Sequence, residues 1–158
     1  MNLASIAPAP MSAPTVAPAA STPAADPAAI LTGAKTIAVV GMSAKTDVPA
    51  HFAPMELARR GWNVIPVNPT VSEVAGMKSY ASLADVPVPV DVVNVFRNPA
   101  AVPGIAAEAA AIGAKALWLQ VGVTSAEGRA IAEQAGMSFV EDTCAGATAA
   151  RLDLRPQA

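Results

Sequence analysis

The run IAVVGMSAKTDVPAH, residues 37–51, carries an apolar stretch to Gly41 and follows it with Met42, Ser43 and Lys45. Those residue types in that order suit an anion. A glycine lets backbone amides approach a phosphate, a serine hydroxyl adds a donor, and a lysine adds charge. Other chemistry-bearing residues close three further apolar runs: Asn68 and Pro69 after NVIPV, Phe96 and Arg97 after VVNV, and Gln120 and Gly122 at the end of ALWLQVG. Together they supply two cations, side-chain amides, a hydroxyl, an aromatic face and glycines. That inventory suits a phosphorylated, partly planar ligand. The plainer reading is turn chemistry, because every α/β sheet needs glycines and polar caps at its strand ends.

The same residues argue against the commonest nucleotide ligand. Dinucleotide folds put an Asp or Glu at the end of the second strand to hold the ribose hydroxyls. This chain has Asn68-Pro69 there, with no acid before Glu73, and only Gly41 remains of the glycine fingerprint. NAD is a poor fit. No nucleophile–base pair stands out. His51, the single histidine, lacks Cys or His partners for a metal set and reads as an exposed polar residue or a cap neighbour near a helix start. Arg59 and Arg60 precede Gly61 at a helix end, where cations complement the dipole. Trp62 and Trp118 lie in strand-like runs and read as core.

These residues need strands to position them. Near-continuous apolar runs predict parallel strands buried on both faces at Thr36–Val40, Trp62–Val67, Asp91–Phe96, Lys115–Val121 and Met137–Glu141. Crossover helices are predicted over Pro54–Arg60 (starting near Ala53), Pro99–Ile112 and Ser125–Ala135, each closed by a glycine. The stretch between Thr70 and Pro87 is irregular and is predicted as loop or short helix. The pattern predicts an α/β fold, a single doubly wound, Rossmann-like domain with a five-stranded parallel sheet in the order 3-2-1-4-5. Ligands are then expected at the carboxyl ends of strands one and four.

Seventeen of the first thirty residues are Ala or Pro. Residues 1–28 are therefore predicted as a disordered Ala/Pro-rich extension, and 29–158 as the folded domain. The formal net charge of −2 makes no bulk electrostatic case for nucleic acid or an anionic membrane. No apolar stretch approaches a membrane span of about 20 residues, and a single cysteine, Cys144, forms no internal disulfide. A cytoplasmic domain is expected, as a monomer or homodimer.

The stretches IPVNP, VNVFRNPAAVP and IGAKALWLQVGV, with the ending VEDTCAGATAARL, resemble the small CoA-binding-domain proteins. These look like the N-terminal domain of the succinyl-CoA ligase alpha subunit standing alone. The resemblance covers about Thr36 to Leu152 and implies coenzyme A, or an acyl-CoA, across the carboxyl edge of the sheet. It implies Gly41, Met42, Ser43 and Lys45 along the phosphates and Asn68 and Pro69 on the adenosine side. It also implies Phe96 and Arg97 flanking nucleotide and pantetheine, with Gln120 and Gly122 as the far wall. A 3′-phosphorylated ribose would repel a carboxylate at the second strand, in keeping with Asn68.

Members of that family commonly carry a motif like Asp-Arg-Cys followed by a Lys and a Glu-His pair. Here Asp142-Thr143-Cys144-Ala145-Gly146 replaces the charged groups. Cys144 either meets the CoA thiol, where it could exchange to a mixed disulfide, or is a small buried residue. Loss of the neighbouring cations favours the second. The expected function is binding of CoA by a stand-alone, non-catalytic domain. The alternatives are an NAD(P)-type regulatory or redox module and a subunit of an acyl-CoA ligase or transferase.

Overall fold

The computed structural model describes residues 26–157. The expected extension lies outside them except for Asp26, Pro27 and Ala28. Those three open a helix: Asp26 caps α1 (Pro27–Thr32) by accepting from the Ala28 amide, and Pro27 fills a first-turn position that needs no donor. The packed chain therefore begins before residue 29.

Strands β1 (Thr36–Val40), β2 (Asn63–Val67), β5 (Val92–Val95), β6 (Ala116–Leu119) and β7 (Ser138–Val140) form one parallel sheet in the order β2-β1-β5-β6-β7. A two-residue pair, β3 (Glu73–Val74) and β4 (Met77–Lys78), makes a hairpin beside it. The expected α/β class and the five-stranded parallel sheet are both present. The 3-2-1-4-5 succession is kept once Tyr80 is counted as a residual third strand, since it joins the outer edge of β2 through one parallel bridge to Val67. What changes is which segment holds which place. The Asp91–Phe96 region, expected outside β2, instead lies against β1 in register from Ile37↔Val92 to Val40↔Val95. The irregular stretch before it takes the outer edge, so the chain has already moved outward when it crosses over the sheet. The point where strand order reverses is therefore between β1 and β5, and Lys115–Val121 lies one strand further away.

Side chains alternate across the sheet. Ala38, Val40, Val93, Val95, Leu117 and Leu119 face α3 (Val102–Ala111) and α4 (Ala126–Gln134). On the opposite face Ile37, Val39, Val92 and Trp118 pack with α1, α2 (Pro49–Arg59) and α5 (Ala145–Arg151). Both tryptophans are core, and each indole N–H has a carbonyl: Trp62 donates to Leu31 and Ala34, and Trp118 to Thr143 at 2.8 Å. Small residues let the second layer close. A Cβ on Gly146 of α5 would lie 2.4 Å from the Ala53 carbonyl oxygen of α2.

Helix α2 begins at Pro49, not near Ala53, because Pro54 sits inside it and not at its start. A proline within a helix leaves the carbonyl four residues back without its usual donor. That carbonyl, Ala50, is taken by the Ser43 amide at 3.1 Å. The helix defect thus anchors the loop after β1. The long third crossover begins with a 3-10 turn, Pro99–Ala101, and becomes α3 at Val102.

Candidate functional site

The carboxyl ends of β1, β2, β5 and β6 bring most of the sequence-predicted residues to one edge. Gly41 holds φ +88°, and a Cβ there would stand 2.5 Å from the Phe96 carbonyl oxygen and 3.0 Å from Cδ of Arg97. Only glycine allows the loops after β1 and β5 to close to this distance. The Gly41 amide itself donates to the Val67 carbonyl at 2.8 Å.

The loop that follows is tied from three sides. The Ser43 amide is bound to Ala50, and the Ser43 hydroxyl oxygen accepts from the Lys45 amide at 3.1 Å. His51 closes the loop from α2. It is 9% exposed in the first turn of the helix, which excludes the exposed reading and leaves that of a cap neighbour, and its Nδ1 lies 2.7 Å from the Ser43 carbonyl oxygen. A carbonyl only accepts, so Nδ1 carries the proton. Asn68 braces the third side: its Nδ2 donates to the Met42 carbonyl at 3.0 Å, while its Oδ1 accepts from the Thr70 amide and hydroxyl.

This bracing redistributes the expected roles. The Gly41 and Ser43 amides already have protein partners, and the Met42 and Ala44 amides are without one among the described residues. The Met42 side chain is fully buried among Ile37, Val39 and Leu57, so only its backbone borders the edge. Lys45 and Arg97 are exposed and make no ion pair among the described residues. Arg59 and Arg60, by contrast, are both held by Glu56, and Arg60 also by Asp153.

Beside Arg97 a recess of about 180 Å³ opens between the ends of β1 and β2 and the flank of α3. Val40, Val67, Pro69 and Ile105 give it apolar walls, with Ser82, Arg97 and Glu108 as its polar ones. Pro69 and Arg97 were legible in the sequence. Ser82 and Glu108 were not, because they come from segments that only the fold brings together. A carboxylate on the second turn of α3 carries no sequence signal for a site at a strand end.

On the far side, the Gln120 amide donates to the Val95 carbonyl at 3.2 Å, and Gly122, at φ +81°, donates its amide to Asp142 at 2.7 Å. Thr143 and Cys144 then lead into α5. Cys144 is half-buried, and its sulfur accepts from the Ala147 amide at 3.3 Å as the helix cap. It is therefore neither a fully buried apolar residue nor a free surface thiol.

The edge as a whole is the switch point of the sheet, with two cations unpaired among the described residues, an apolar recess and a polar far wall. Among the described residues no group of three or more His, Cys, Asp or Glu could hold a metal ion, and no helix is long and apolar enough to cross a membrane.

Comparison with known proteins agrees with the resemblance. The protein YneT of Bacillus subtilis, itself described as uncharacterized, is 36% identical over 115 residues, covering 73% of this chain and 85% of the relative. A structure described as a hypothetical protein from Pyrococcus horikoshii matches with a TM-score of 0.78 at 35% identity, covering 80% of this chain and 89% of that one. Acetate–CoA ligase (ADP-forming) II of Archaeoglobus fulgidus is 31% identical over 101 residues, covering 63% of this chain but only 15% of the ligase. A family model described as a CoA binding domain matches residues 35–150, which hold the whole sheet, helices α2 to α4 and most of α5. The chain belongs to the CoA binding domain family.

Proposed function

We propose that the chain binds coenzyme A, or an acyl-CoA, along the carboxyl edge of its sheet as a stand-alone domain without a catalytic step of its own. The observation that carries this reading is the closed β1–β5 switch point. Gly41 is pressed against Phe96 and Arg97, and two unpaired cations, Lys45 and Arg97, flank it. CoA carries three phosphate groups, and a cation free of internal partners gains most from them. The Met42 and Ala44 amides add donors at the same place, and the recess lined by Val40, Val67, Pro69 and Arg97 suits a purine ring against apolar walls. No acid stands at the end of β2, where a 3′-phosphate would meet it.

A domain without a catalytic step suits the state of Cys144 and His51, neither of which faces the other as a nucleophile–base pair would. Cys144 is engaged as a helix cap, and His51 is engaged with Ser43. A second reading has one specific observation behind it: similarity to a segment of acetate–CoA ligase suits a chain that supplies the CoA site of a larger acyl-CoA enzyme.

Isothermal titration of the protein with CoA, dephospho-CoA and NAD under reducing conditions tests the reading. CoA is expected to bind, dephospho-CoA more weakly, and NAD weakest. NAD binding more tightly than CoA would overturn it. Co-purification of the chain with a ligase subunit would turn the conclusion toward the second reading.

A further inference from the structure

The loop after β1 has a single glycine, Gly41, so residues 42–45 must hold their course by other means. Their peptide groups can be followed one by one. The Met42–Ser43 peptide is held at both ends: the Met42 carbonyl accepts from Nδ2 of Asn68, and the Ser43 amide donates to the Ala50 carbonyl. The Ala44–Lys45 peptide is held through the Lys45 amide, which donates to the Ser43 hydroxyl oxygen. The peptide between them is held at one end only. Its carbonyl, that of Ser43, accepts from Nδ1 of His51 at 2.7 Å, while its N–H, that of Ala44, has no partner among the described residues.

That one hydrogen bond fixes two directions. The Ser43–Ala44 bond is trans, so its carbonyl and its N–H point opposite ways in one plane. His51 draws the carbonyl onto α2, and the Ala44 N–H therefore points away from α2. Ala44 and Lys45 are both exposed, which leaves this donor open to solvent beside a lysine. A flipped peptide would present the carbonyl there instead, and a carbonyl repels an anion. The imidazole is itself well seated. It lies in the first turn of α2, and the next turn is anchored by Ala53 against Gly146 of α5 and by Leu57 in the core. A donor held in its bound orientation beforehand spares part of the ordering cost of binding.

We propose that His51 is a positioning residue for the phosphates of the ligand: its Nδ1–H sets the plane of the Ser43–Ala44 peptide and thereby presents the Ala44 amide beside Lys45. This rests on the CoA reading above and adds a side chain that acts on the ligand only through the backbone. It also explains how a loop with one glycine keeps an amide turned outward, since the plane is set from the helix.

The test is titration calorimetry of the full chain with CoA, using His51→Leu and His51→Asn. Leucine removes the donor. Asparagine puts an amide N–H the same number of bonds from the backbone as Nδ1. His51→Leu is expected to weaken CoA by about 3- to 10-fold, the worth of a hydrogen bond, and His51→Asn to stay within about twofold of the parent. In amide proton spectra, CoA is expected to move the Ala44 signal of the parent and of His51→Asn downfield, as a bond to phosphate does, and to leave it in place in His51→Leu. If His51→Leu does not fold, His51→Gln, whose amide nitrogen lies one bond too far out, replaces it with the same expectation. Unchanged CoA affinity in His51→Leu would overturn the proposal. So would an Ala44 amide that CoA leaves unmoved in the parent, or an asparagine variant that recovers the parent's Tm but not its affinity, since His51 would then serve the fold alone. Failure of the parent to bind CoA would sink the CoA reading and this inference with it, an outcome the parent titration separates from a loss confined to the variants.

Discussion

Replacing Gly41 by alanine puts the site geometry under direct strain. Two effects add. The backbone holds φ +88°, where an L side chain is disfavoured by about 1–2 kcal/mol. The new Cβ would also stand 2.5 Å from the Phe96 carbonyl oxygen, which is backbone at the end of β5 and cannot rotate away. Relieving such overpacking costs about 1–3 kcal/mol. The sum is about 2–5 kcal/mol, a fall in Tm on the order of 10 °C for a domain of this size. Gly113→Ala is the control. Gly113 has φ +75° but nothing within 4 Å of its Cβ position, so it carries the backbone term alone. Thermal or urea unfolding of the two variants side by side isolates the contact with Phe96. Gly41→Ala is expected to be the less stable by about 1–3 kcal/mol and to lose CoA binding, whereas Gly113→Ala keeps binding. Equal stability of the two would refute the close approach of the β1 and β5 loops on which the site rests.

Arg97→Ala and Lys45→Ala are each expected to weaken CoA by about tenfold, the lower end for a charge-assisted contact at an exposed position, with Tm unchanged. Titration at two salt concentrations checks this, since the loss should shrink as salt rises. At the opposite end of the sheet, burial pushes the Asp91 carboxyl up. The Thr36 and Lys35 amides and the Lys115 ammonium more than offset that and hold it below its ordinary value. A carboxylate lowered in this way adds stability above its unfolded pKa of about 3.9 and loses it as pH falls through the folded value. Asp91→Asn is therefore expected to be less stable at pH 7 by about 1 kcal/mol, with the gap closing below about pH 4 in urea unfolding followed across pH.

The parts of the fold that could be read from sequence are those where one physical demand dominates. Strands covered on both faces must be apolar throughout, so IAVV, NVIPV, VVNV and ALWL announce themselves. Tyr80 does not. A single bridge at a sheet edge requires no apolar run, and without it the outer place falls to the wrong segment. Pro54 misleads for a related reason. Proline suits a helix start, but here an outside amide from Ser43 answers the carbonyl it leaves unpaired, so the helix runs on through it. His51 looks exposed until that same loop folds back onto it. The site residues divide likewise. Gly41, Lys45, Asn68, Pro69 and Arg97 follow strand ends and are found by looking there, whereas Glu108 lines the same recess as Arg97 only in three dimensions.

Asn94 carries a signal that is visible in the sequence. An amide in the middle of VVNV, in a strand predicted to be covered on both sides, cannot be solvated. It must find a partner in the fold or wait for one. Its neighbours in register, Val39 and Trp118, offer no acceptor or free donor: the valine has none, and the one N–H of the indole is spent on Thr143. Partnership within the sheet is thus excluded by residue type. Helix α5 contributes Ala145 and Ala149 to the core on that face, and its buried Thr148 spends its hydroxyl on the Cys144 carbonyl. The Asn94 oxygen is accordingly left without a partner among the described residues, one of two such buried atoms there.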